Sequence, residues 1–84
     1  MIRPFRLWNA NERVEIRWRY YAHVRNAHLG ALIECRWSAV GTTIEVFNAD
    51  TYTLVGQYTR GVNAIKFLDA DAASTAPPTG GTRE

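Results

Sequence analysis

From Arg17 to Arg25 every second residue is a cation, an aromatic or a histidine: Arg17, Arg19, Tyr21, His23 and Arg25. An extended chain throws successive side chains to opposite faces. These five therefore share one side of a strand, while Val14, Ile16, Trp18, Tyr20, Ala22 and Val24 share the other. On a helix the same arginines would scatter around the axis. A row of guanidinium groups suits a polyanion, because each planar fork pairs with a phosphate through two hydrogen bonds and an interleaved tyrosine or histidine stacks on bases. Arg36 extends the row if the segment that carries it pairs with this strand. If Glu15, Glu34 and Glu45 are instead the cross-strand partners of the arginines, the same face is an ordinary solvated surface.

The remaining reactive residues form no such pattern. His23, His28 and Cys35 match no zinc-ligand spacing, and Cys35 falls in the apolar register, as a buried structural thiol does. With His23 on the polar face and Cys35 turned inward, no nucleophile has a base within hydrogen-bond reach. The eight acidic residues are spread through turns and the C-terminal stretch, without a cluster for metal-assisted phosphoryl transfer. The expectation is a protein that is not an enzyme and carries no metal and no cofactor. Trp8, Trp18 and Trp37 read as core or core-rim residues, with an exposed Trp8 stacking on a base or a partner as the lesser reading.

The elements that would hold this row are short strands. Ile2 to Trp8 contains Pro4, which lacks a backbone donor and so predicts an edge strand or an extended lead-in. Asn9 to Arg13 is a tight connection, and the long strand Val14 to Arg25 follows until Asn26 to Gly30 marks a turn. A third strand reads Ala31 to Ser38. Thr43 to Phe47 and Tyr52 to Tyr58 form a hairpin around Asn48-Ala49-Asp50-Thr51, and Asn63 to Leu68 closes the set. A competing reading makes Tyr20 to Glu34 helical, with Tyr20, Val24, Ala27 and Ala31 on one side. Gly30 and the period of two count against it, leaving a helical turn near Asn26 to Leu32 as its remnant. No internal repeat or heptad is visible.

Residues 1–68 thus predict one small all-β domain of five to six antiparallel strands, arranged as an SH3-like barrel or a meander. Barrel closure removes sheet edges, and an open meander packed on a second copy is the alternative. Residues 69–84 contain no Val, Ile, Leu or aromatic side chain and cannot repay the entropy of ordering, so they predict a disordered tail.

Charge and cysteine usage bound the setting. Residues 1–68 hold nine Lys and Arg against five Asp and Glu, a difference of +4, and arginine outnumbers lysine nine to one in the chain. That bias fits an anionic polymer as well as it fits a GC-rich coding sequence. A single cysteine excludes an internal disulfide, and no signal peptide or membrane-spanning run is present, so the expected compartment is a reducing cytoplasm.

In order of features the chain resembles the small C-terminal β-barrel of DDE transposases and integrases of the bacterial insertion-sequence type. The residues that carry the likeness are Val14-Glu15-Ile16-Arg17 and Arg19-Tyr20-Tyr21-Ala22-His23, the turn Arg25-Asn26-Ala27-His28-Leu29-Gly30, and the hairpin Ile44-Glu45-Val46-Phe47-Asn48-Ala49-Asp50-Thr51-Tyr52-Thr53-Leu54-Val55. Tyr52 stands where that family often has glycine, Arg60 to Asn63 match it only loosely, and the family's catalytic core has no counterpart here. The resemblance implies DNA binding through the phosphate backbone without cleavage. Arg17, Arg19, Tyr21, His23, Arg25 and Arg36 are the nucleic-acid-binding candidates. The alternative is a protein-interaction module, such as a small phage-type or accessory protein, docking on a protein partner or a second copy through a sheet edge or a tryptophan-bearing rim.

Overall fold

The protein is described by a computed structural model over residues 2–69, apart from the Trp18 side chain. Five antiparallel strands, β1 (Phe5–Asn9), β2 (Val14–Tyr21), β3 (Thr43–Asn48), β4 (Thr53–Arg60) and β5 (Ile65–Asp69), form one sheet in the order β2-β1-β3-β4-β5. One helix, α1 (Val24–Arg36), crosses from β2 over β1 to β3 and packs on a single face of the sheet. The molecule is mostly antiparallel sheet, as the all-β expectation has it. Among the described residues the sheet is open rather than closed into an SH3-like barrel, with β2 and β5 as its edges.

Two hairpins share one turn design. In β1–β2 the Asn9 side-chain oxygen accepts from the Asn11 and Glu12 amides, and Arg13 closes the turn at φ 57°. In β3–β4 the Asn48 oxygen accepts from the Asp50 and Thr51 amides, and Tyr52 closes at φ 55°. Asparagine substitutes for a backbone acceptor in both, which lets a four-residue loop return the chain. Of the two readings of Pro4, the lead-in holds and the edge strand does not: pairing begins at Phe5, β1 lies between β2 and β3, and the Pro4 carbonyl accepts from Ala49. The long strand ends at Tyr21 rather than Arg25, and Asn26 to Gly30 is helix rather than a turn. Ala31 to Ser38 is not a strand, since helix runs through Arg36.

The helix wins there because its small residues interlock with the sheet. Ala27, Ala31 and Cys35, spaced by four, are fully buried against Leu7, Ile44 and Val46. A spacing of four satisfies a period of two as well as the 3.6 of a helix, so alternation alone does not separate the readings. Gly30, read as a turn, lies mid-helix where the Tyr21 ring presses on it; a Cβ there would collide with the Tyr21 hydroxyl oxygen.

Candidate functional site

The predicted cationic row does not survive its own strand. Trp8 pairs with Glu15 and Arg6 with Tyr20, so the single β1 residue Leu7 stands opposite four β2 residues, Ile16 to Arg19. Three extra residues are an odd number, and an odd insertion sends the side chains beyond it to the other face. Ile16 and Tyr21 therefore both pack toward the core, although a strict alternation puts them on opposite sides.

The six candidates are dispersed by this reversal and by the helix that follows β2. Arg19 faces the helix, where its Nε donates to Glu34 Oε2 at 2.8 Å; Tyr21 and Glu34 both favour its charged form. Tyr21 is part of the packing under Gly30. Arg17 is exposed within the irregular stretch of β2, His23 is the N-cap residue of α1, Arg25 lies in the first turn of α1, and Arg36 is its last residue. Eleven residues of helix separate the last two by about 16 Å along the axis. Arg17, Arg25 and Arg36 make no ion pair among the described residues, whereas Arg6 reaches Glu15 at 3.5 Å and lies 4.2 Å from the centre of the Tyr20 ring.

On the helix-free side of the sheet, register aligns Glu15, Trp8, Glu45 and Gln57 across four strands. Trp8, Phe47 and Leu54 line a shallow groove of about 300 Å³ beside Glu45. Burial raises the Glu45 carboxyl above its ordinary range. Glu15 on this face is paired with Arg6, which leaves the half-buried Glu45 as the carboxylate beside the groove.

His28 belongs to a third cluster, between helix and sheet. Its Nδ1 lies 2.9 Å from the Tyr58 hydroxyl, and the rings of Tyr58 and Phe67 pack edge-on to it beneath Gly56. Burial lowers the imidazole pKa and raises that of the Tyr58 phenol. Cys35 has no exposed surface, and its thiol is pushed up by burial more than the nearby Arg60 pulls it down. No group of three metal-ligating side chains occurs among the described residues.

The outer face of α1 is the surface the sequence reading missed. Because the residues facing the sheet are small, the large apolar ones point outward: Leu29, Leu32 and Ile33 are 53%, 39% and 48% exposed, and Trp37, just past the helix, is 83% exposed. At 100° per residue Arg25, Leu29, Leu32 and Arg36 fall within an arc of about 60°, with Ile33 beside it. Next to this stripe, Leu32, Arg36, Arg60, Val62 and Ile65 border a depression of about 470 Å³. The Arg60 guanidinium donates to the carbonyls of Arg36, Gly61 and Val62, fixing the β4–β5 turn against the end of the helix. The 4-3-4 spacing from Arg25 to Arg36 is the signal in the sequence, and a strand over Ala31 to Ser38 conceals it. Trp37 is accordingly no core residue.

No helix among the described residues is long and apolar enough to cross a membrane. In comparisons with known proteins, the chain matches no family model, no curated protein and no solved structure.

Proposed function

We propose that this protein is a non-catalytic interaction module that docks on another protein through the outer face of α1. The observation that carries the reading is the inverted helix: alanine, glycine and cysteine face the sheet, and Leu29, Leu32, Ile33 and Trp37 face water. Large apolar side chains gathered on one exposed face mark an interaction surface, and covering each contributes roughly 1 kcal/mol at the usual transfer coefficient. The face is about 20 Å long, as a groove-binding helix requires.

Leu29→Gln combined with Ile33→Gln tests this directly. Both side chains project outward, so the double variant should keep its stability to within about 0.5 kcal/mol by thermal melting. It should also lose the cellular partners that the unmodified chain retains in affinity purification. Partners kept by that variant but lost on Arg17→Ala would overturn the assignment.

A second reading is DNA binding, supported by the exposed and unpaired cations Arg17, Arg25 and Arg36. Titration of duplex DNA at rising salt separates the two. Neutralised phosphates each steepen the logarithmic slope by about 0.9, whereas an apolar docking face leaves DNA affinity weak at every salt concentration.

A further inference from the structure

We infer that the occupant of the α1 face is an acidic amphipathic helix of another protein: apolar side chains for the Leu29–Leu32–Ile33 centre, with carboxylates reaching the arginines at its two ends. The inference rests on the docking reading above and adds the partner's chemistry. Its basis is charge. Arg25 and Arg36 close the stripe at opposite ends, Arg36 and Arg60 border the adjoining depression, and no carboxylate lines that depression among the described residues. Glu34, the helix's acidic residue, is turned toward the sheet and held by Arg19. The surface is therefore apolar in the middle and cationic at each end, and neither Arg25 nor Arg36 has a carboxylate partner among the described residues.

A second copy of this chain fits poorly. Antiparallel packing of two α1 stripes sets Arg25 against the other copy's Arg36, and parallel packing sets each arginine against its equivalent; like charges meet in both. A polyphosphate satisfies the arginines but leaves Leu29, Leu32 and Ile33 without apolar cover. A helix with Glu or Asp eleven positions apart, about 16 Å, and Leu or Ile between them satisfies both requirements.

The test uses the full 84-residue chain and two synthetic amphipathic peptides. The first carries leucines on one face and glutamates eleven residues apart; the second has lysine in place of each glutamate. Fluorescence anisotropy at low salt should show the acidic peptide binding about tenfold more tightly, the size expected of two exposed charge pairs. Arg25→Glu with Arg36→Glu should reverse the preference, and Leu29→Gln with Ile33→Gln should weaken both peptides. Equal affinity for the two peptides would overturn the acidic partner while leaving the docking face in place. Acidic-peptide binding that ignores the Leu29 and Ile33 substitutions would overturn both readings. Failure of the acidic peptide to bind, a dimer in sedimentation that Leu29→Gln dissociates, or displacement of that peptide by duplex DNA in a manner independent of Leu29 would each overturn the inference.

Discussion

At Gly30 one missing carbon decides how closely the helix approaches the sheet. Glycine in a helix interior costs about 1 kcal/mol relative to alanine, so an alanine would help were the site open. It is occupied: the added Cβ would run into the Tyr21 hydroxyl, so the ring would have to give way within its packing against the helix. Gly30→Ala should therefore destabilise the protein by about 1–2 kcal/mol in denaturant unfolding, the overpacking penalty exceeding the propensity gain. Placed in a Tyr21→Ala background, the same change should become neutral or stabilising. An equal cost in both backgrounds would mean that the two residues do not contact each other.

Among the elements, the two hairpins show where backbone strain is held. Each closes on a non-glycine residue in the left-handed region, Arg13 and Tyr52, at angles where a Cβ crowds the following carbonyl by roughly 1–2 kcal/mol. Tyr52 is 88% exposed and contributes little packing in return. Tyr52→Gly should raise stability by about 0.5–1 kcal/mol, the relief of strain being partly offset by the greater freedom of glycine in the unfolded chain. A lower melting temperature would show that the Tyr52 ring stabilises the hairpin by more than its exposure suggests. The β2 irregularity belongs to the same scale. It turns Arg19 and Tyr21 inward, converting two members of a solvent-facing row into helix contacts.

For the molecule as a whole, pH reads out two groups of opposite sign. Burial lowers the His28 pKa below its ordinary 6.5, so just below that pH the unfolded chain takes up a proton that the folded chain refuses. Stability contributed there is complete above pH 6.5 and is lost as pH falls toward the folded value. Glu45 has a raised pKa, so from 4.5 upward the folded chain keeps a proton that the unfolded chain has released, and stability falls as pH rises through that window. Melting temperatures against pH should show the His28 limb flattened by His28→Gln, which keeps a polar group near Tyr58 without titrating in this range. The Glu45 limb should be flattened by Glu45→Gln. Unchanged profiles in both variants would place the pH response elsewhere.

Local chemistry in the sequence was sufficient for the hairpin around Asn48 to Thr51, the last strand and the predominance of sheet, because alternation and turn residues act over neighbouring positions. The tail expectation from residue 70 onward lies outside the described residues. Three features were settled only by tertiary packing. The competing helical reading of Tyr20 to Glu34 holds from Val24 onward, and packing decided for it because small side chains let Ala27, Ala31 and Cys35 sit on Leu7, Ile44 and Val46. The sheet stayed open because pairing partners are chosen across the fold, and β1 took β3 as its second neighbour. The arginine row dispersed because three extra residues in β2 turned Arg19 and Tyr21 to the helix side, and because His23, Arg25 and Arg36 fell on the helix or its cap. Parity depends on what lies opposite, and a strand read by itself has no opposite.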